Sequence, residues 1–418
     1  MARPDWSDGI ELLLAQGLLA QLRRTPVDEP PGDFFHEFFF DPWSRGLQLE
    51  GAVFLELCSA LTAIPEVAGI FGATLYPGRA GSGEVVGVES IAWWLLERSL
   101  DSEPARAVGE FQQFLATRSG FARWVLLVDG VRVIEPVDLG AGVQLMPFSA
   151  LPNSLQKRAV ERHLRGGVFG QIEPAALTTS TPISQILLPI GYSAPAPSGV
   201  LRLDWSDPDY RLEAVCSLLA LFGEIAPKDF GAWVQASGTG VPSQGAFALS
   251  FLPGPGSFGQ ITVDPGAARE LINRFFDLAE TYRNHLMVPL GRLGQSMRQP
   301  TVEGAAIDLR TALEAMLVKD GNGEFSHKVA LRGAWLLGET VARRRAIFKE
   351  LKDAYSWGSV AVHKGAIPPA KREAATVAIR NARRLVQEML RRLIAARQPI
   401  DVEALEFGQV PAAPELTS

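Results

Sequence analysis

The sequence predicts an α+β region over residues 1–265, an all-α helical bundle over residues 266–397 and a short tail over residues 398–418. Three observations carry this division. Short apolar and β-branched runs, punctuated by Gly and Pro, recur until about residue 265 and then stop. Beyond Asp264-Pro265 the apolar residues recur at helical spacing instead. Basic charge also gathers there. Residues 266–397 hold 23 Lys and Arg against 13 Asp and Glu, a net of +10, which leaves −16 for the rest of a chain of net charge −6.

The first helix is expected from Ser7 to about Arg24, with Ile10, Leu13, Leu14 and Leu18 on one face and Asp8 and Glu11 near its positive end. Pro26, Pro30, Pro31 and Gly32 end it. Strands are expected at 125–128, 131–137, 143–148, 183–190, 232–236 and 246–252, with Asp129-Gly130 as a hairpin turn. Helices are expected at 105–116, 151–164 and 208–222, the last capped by Asp207 and opened by Pro208. A Ser/Pro/Ala/Gly-rich loop is expected at 193–199, and the pair Trp93-Trp94 reads as core or interface. In the second region, Ala306, Leu309, Leu313, Met316 and Leu317 form one apolar stripe and Ile379, Ala382, Val386, Met389 and Leu393 another, the pattern of a four- or five-helix bundle. Pro399, Pro411 and Pro414 suggest a poorly ordered tail.

Composition excludes several classes. A chain of 418 residues with 47% hydrophobic and 21% charged content buries a core without staples and lies far from the disordered regime. Cys58 and Cys216, the only cysteines, each sit in an apolar stretch and read as buried reduced thiols rather than a disulfide framework. No apolar run approaches membrane-spanning length, and the amino terminus does not read as a signal peptide, so a cytoplasmic protein with no membrane partner is expected. The five histidines and two cysteines lack metal-ligand spacing, so no metal and no cofactor is expected. The string Gly254 to Gly259 satisfies G-x-G-x-x-G, but GQITVDP follows it where a dinucleotide site needs a helix, so it reads as a turn. No Walker lysine motif and no nucleophile elbow occurs, and Asp204, Asp207 and Asp209 read as caps and turns.

The chemistry-bearing segment is LKDAYSWGSVAVHKG, residues 351–365, preceded by DLRTALEAMLV and FSHKVALRGAWLLGETVARRRAIF. These motifs, in this order, resemble the carboxy-terminal HEPN domain of the Apea-like type, over about residues 266–397. By that resemblance Leu313-Glu314 falls on a Leu-Glu pair and Arg332 on the arginine of a middle helix. Tyr355, Ser359 and His363 fall on the signature, with Gly365 closing it and Gly358 standing where the signature carries arginine. The resemblance implies a metal-independent endoribonuclease that works as a homodimer, a toxin or abortive-infection effector in antiviral defence. His363 would be the general acid/base and Tyr355 and Ser359 would stand beside it. RNA contacts would come from Arg332, Arg343, Arg344, Arg345 and Lys364, and Glu314, Gly358 and Gly365 would support the site.

Physically, metal-free RNA cleavage needs a proton acceptor for the 2′-hydroxyl and positive charge where the phosphoryl oxygens become negative. An imidazole supplies the first. A glycine at 358 supplies none of the second, and a missing preorganised donor typically costs about a hundred- to a thousandfold in rate. The alternative is therefore a HEPN-derived RNA-binding or dimerisation module without catalysis, serving as sensor or regulatory subunit beside a defence-system partner. The RNA cut or bound, a tRNA or another cellular RNA, is not written in the sequence.

Overall fold

The computed structural model describes residues 6–22, 52–75, 84–152, 157, 160–161, 174–183, 187–188, 207–237, 246–247, 259–318, 323–397, 399 and 401–409. In chain order the helices are α1 (Ser7–Leu22), α2 (Ala52–Thr62), α3 (Pro65–Ala68), α4 (Val88–Asp101), α5 (Pro104–Thr117), α6 (Pro208–Leu219), α7 (Pro265–Phe276), α8 (Glu280–Arg298), α9 (Val302–Leu317), α10 (Phe325–Leu337), α11 (Val341–Lys364), α12 (Arg372–Ala395) and α13 (Val402–Glu406). The strands are β1 (Thr74–Leu75), β2 (Glu84–Val85), β3 (Gly120–Asp129), β4 (Val131–Arg132), β5 (Val137–Asp138), β6 (Val143–Pro147), β7 (Ala175–Ile183), β8 (Leu187–Leu188), β9 (Lys228–Ser237), β10 (Ala246–Phe247) and β11 (Ile261–Thr262).

The run WVLLV in β3 explains the front sheet. Trp124, Leu126 and Val128 enter one apolar core while Val125 and Leu127 enter another on the opposite face. A strand buried on both sides belongs in the middle of a sheet, and β3 lies between β9 and β7 in the antiparallel order β10-β9-β3-β7-β6-β5. One face packs on α6, whose start follows the expected pattern: the Asp207 side chain accepts from the Asp209 N–H and Pro208 opens the helix. Asp129-Gly130 does turn the chain, with Gly130 at φ +85°, but the expected hairpin is corrected. β4 leaves β3 and pairs in parallel with β11, and the Gly130 carbonyl accepts from Ile261 N–H. The Ala175–Ile183 strand, rich in threonine, was not foreseen, nor were α2 and α4. The expected segments at 193–199 and 254–258 and most of 151–164 lie outside the described residues.

The amino-terminal helices build a core of their own from α1 to α5, with Leu14, Leu57, Ile91, Phe111 and Phe114 fully buried. Trp94 packs against that core. Glu110 sits among Arg98 and Arg106; burial would raise its carboxyl, and the hydrogen bonds and charges of the two arginines outweigh that and lower it.

Among the described residues the carboxy-terminal helices, α7 to α12, number six rather than four or five. Both apolar stripes read from the sequence are buried in full. Asp264, Thr301 and Thr340 cap α7, α9 and α11 with their side chains. The change from strands to helices at 265 is sharp, yet the core crosses it: Leu126, Leu177 and Leu218 belong to the same apolar cluster as Leu313, Leu351 and Met389. Polar bonds tighten the same seam. Gln387 of α12 donates to the carbonyls of Ala220 and Gly223 at 2.7 and 2.6 Å, Arg391 donates to that of Leu221, and Arg298 reaches the carbonyl of Pro227 at 2.8 Å.

The tail expectation is corrected over 401–409. Asp401 caps α13, Leu405 is fully buried in the bundle core, and Glu406 bonds an internal arginine. Cys58 is half-buried and Cys216 buried, and both are free. Burial, and then the charge of Glu89, pushes the Cys58 thiol up to about 11. Among the described residues no helix is long and apolar enough to cross a membrane, and no group of His, Cys, Asp and Glu could hold a metal ion.

Candidate functional site

The signature residues all lie on α11, a helix of 24 residues that ends where Gly365 takes the left-handed conformation at φ +71°. Spacing of four puts Tyr355, Ser359 and His363 along one side of it, as expected. Their surroundings differ. Tyr355 is buried, Ser359 is half-buried and His363 is exposed, with Lys364 exposed beside it. Two basic side chains in the last turn face the negative end of the helix dipole.

Tyr355 belongs to a closed polar cluster between α9 and α11. Its hydroxyl donates to Glu314 Oε1 at 2.5 Å, Arg310 Nε donates to the same oxygen at 2.8 Å, and the Arg310 guanidinium lies over the tyrosine ring at 4.8 Å. Burial above all, and then the hydrogen bond to Glu314, pushes the Tyr355 phenol up to about 12. A phenol held neutral and bonded to a carboxylate is a strut between two helices. Tyr355, expected to stand beside His363, is held inside this cluster. From Tyr355 to His363 is eight residues, about 12 Å of helix.

Gly358, which stands where the resembling signature carries arginine, has no space for a side chain. It is buried where α11 crosses α9, and a Cβ added there would lie 2.8 Å from Arg310 Cβ and 2.9 Å from the Ala306 carbonyl oxygen. The crossing excludes any side chain, arginine most of all. Arg310 occupies the space, but its guanidinium is turned toward Tyr355 and Glu314, away from the helix end that carries His363.

The expected RNA contacts separate into two groups. Arg332 is corrected outright: it is 2% exposed, donates from Nε to Glu406 Oε1 at 2.7 Å and from Nη1 to the Leu317 carbonyl at 2.6 Å, and so ties α13 and the end of α9 to α10. Arg344 is corrected too, since its guanidinium lies 3.7 Å over the Trp335 ring and its Nε donates to the Gly338 carbonyl at 2.8 Å. Arg343, Arg345 and Lys364 are exposed. Arg343 and Arg345 stand at the opposite end of α11 from His363, about 27 Å away at 1.5 Å per residue from Arg345.

One further residue shapes the exposed end. Glu303, in the first turn of α9, accepts from the Ile367 N–H at 3.0 Å and pairs with Arg372 at 3.2 Å, so it anchors the loop that follows His363 and Lys364. The Ile367 N–H, above all, holds its carboxyl below the usual range. No local pattern announces that contact, because 64 residues separate the partners. Compared with family models, curated proteins and solved structures, the chain matches none.

Proposed function

We propose that this protein binds RNA through a HEPN-like carboxy-terminal bundle that does not cut RNA by itself. The observation that carries this reading is position 358. By the resemblance, a nuclease of this kind carries an arginine five residues before its imidazole, and the crossing of α9 over α11 leaves no room for one at 358. The imidazole and lysine at 363 and 364 stay exposed and can touch a phosphate, with Lys364 acting as a point charge rather than a bidentate fork. In a defence system such a chain would act as sensor or regulatory subunit, with the front sheet joined to the bundle through one core. It would work as a homodimer or beside a partner protein.

A second reading, the nuclease itself, draws on the exposure of His363. If two copies met at this end of α11, each would lend the other a lysine. The experiment is a cleavage assay on labelled tRNA and total RNA with chelator present, comparing wild type with His363→Ala. The proposal expects binding without cleavage. Chelator-resistant cleavage lost in His363→Ala would overturn it in favour of the enzyme.

A further inference from the structure

Thirteen of the seventeen arginines between residues 266 and 397 bond a carboxylate, a carbonyl or a hydroxyl among the described residues. The net charge of this segment is thus a poor guide to where an anion could bind, and the cations left facing outward are the informative ones. Five of them, Arg343, Arg345, Lys349, Lys352 and Lys364, share α11, while Lys371, Arg380 and Arg397 stand apart from it. Arg345, Lys349, Lys352 and His363 of α11 are exposed, as is Ser356, and Ser359 is half-buried.

At 100° per residue all six fall within about 40° of a single line along α11, because 18 residues complete five turns. The line is about 27 Å long from Arg345 to His363. The two acids of α11, Glu350 and Asp353, stand about 140° and 80° away from it. None of Arg345, Lys349 and Lys352 makes an ion pair among the described residues; the Lys352 ammonium lies 5.7 Å from the centre of the Phe348 ring. The exposed ring of His327 meets Phe348 edge-on at 5.5 Å, so aromatic surface borders the cations on the α10 side.

From this placement we infer that the outer face of α11 is a track for the sugar-phosphate backbone of single-stranded RNA. The strand would run from Arg345 to His363, with its bases free to stack on His327 and Phe348. The track rests on the RNA-binding reading above and locates it on a helix face rather than in a cleft of signature residues. A straight row of three cations followed by two hydroxyl groups and an imidazole suits a flexible strand that can follow it. The phosphates of a duplex wind away from a straight line. Cations that lack carboxylate partners also bind phosphate without first breaking an ion pair, and each contact releases counterions. Unstacked bases beside aromatic rings add a contribution that tolerates any sequence.

The test uses the full chain and a fluorescein-labelled single-stranded RNA of twenty mixed nucleotides, with anisotropy read from 50 to 400 mM NaCl. Each phosphate contact to a single strand contributes about 0.7 to the slope of log affinity against log salt. The variant Arg345→Gln/Lys349→Gln/Lys352→Gln is expected to be shallower by about 2, with unchanged circular dichroism. The control Lys371→Gln/Arg380→Gln/Arg397→Gln removes the same charge from exposed positions off the line and is expected to stay within 1 of wild type. If both triple variants lose slope equally, or the first loses none while wild type binds, the track is overturned and the RNA-binding reading stands. If wild type fails to bind at 50 mM salt, the RNA-binding reading itself falls. A duplex of the same sequence competing as well as the single strand would overturn the single-strand assignment.

Discussion

Two neighbouring helices of the bundle are comparably basic and use their charge in opposite ways. On α12, Arg383 bonds Ser296, Arg384 bonds Glu224, Arg391 bonds the Leu221 carbonyl and Arg392 the Leu336 carbonyl. Burial pushes the Arg383 guanidinium down to about 10 and lowers that of Arg391, the mark of cations taken out of water to satisfy carbonyl and hydroxyl oxygens. On α11, Arg345, Lys349 and Lys352 are exposed and make no ion pair among the described residues. Charge that fixes helices and charge that awaits a ligand look alike in a count of residues. Only the fold distinguishes them.

The sharpest way to break this contrast is at its most internal member. Arg332 joins three helices from a nearly sealed position, with Glu406 on one side and the Leu317 carbonyl on the other. Removing one partner of a buried ion pair typically costs about 3–5 kcal/mol. Arg332→Ala is therefore expected to lower the unfolding free energy by about that amount in urea titration. A loss below about 1 kcal/mol would show that burial of this arginine contributes little and would weaken the division between internal and external cations.

Next in size is the helix crossing. Gly358→Ala places a methyl group under 3 Å from Arg310 and from the Ala306 carbonyl, which outweighs the gain in helix propensity. Overpacking of this sort costs about 1–3 kcal/mol, so a lower melting temperature is expected. Gly358→Arg is expected to be worse and to gain no nuclease activity, although by resemblance alone it would restore the signature. A stable Gly358→Arg chain that cleaves RNA would mean that α9 yields there, and the proposed function would have to change.

These two positions also show what the sequence made legible. The apolar stripes of α9 and α12 follow directly from 3.6-residue periodicity, and the cap at Asp207 from its side chain. Motif order singled out His363, which the structure puts at an exposed helix end. It could not show that Arg332 points inward or that Gly358 is a crossing, since both depend on contacts with residues far along the chain. Arg332 meets Glu406, 74 residues away, and nothing near either residue marks the other. The parallel pairing of β4 with β11 was hidden for the same reason, whereas Asp129-Gly130 carried a strong local hairpin signal that the long-range pairing overrode.

A smaller effect tests the strut between α9 and α11. The Tyr355 phenol is raised from its ordinary value of 10 to about 12, by burial first and the bond to Glu314 second. A raised group contributes stability that is fully present below its unfolded pKa and disappears as pH climbs through the folded one. The difference in unfolding free energy between wild type and Tyr355→Phe is therefore expected to be constant below about pH 10 and to shrink between about 10 and 12. At neutral pH the lost hydrogen bond is worth about 1 kcal/mol. Tyr282 is also pushed up to about 12 by burial, so the comparison of the two chains, rather than wild type alone, isolates Tyr355. A difference that stays flat to pH 12 would mean that in solution the phenol is neither buried nor bonded to Glu314 as it is here.

The smallest effect is the one on which the contrast finally depends. If the outer cations of α11 serve only a ligand, replacing them costs the fold nothing: Arg345→Gln/Lys349→Gln/Lys352→Gln is expected to stay within about 0.5 kcal/mol per site of wild type, the ordinary range for surface positions. A small gain is equally consistent, because among the described residues the substitutions break no ion pair and the three cations repel one another along one face. Urea titrations at low and high salt separate the two outcomes, since relief of repulsion is screened by salt and side-chain packing is not. A salt-independent loss of more than about 2 kcal/mol would place these side chains in the architecture of the bundle, beside the arginines of α12, and remove the reason for assigning them to RNA.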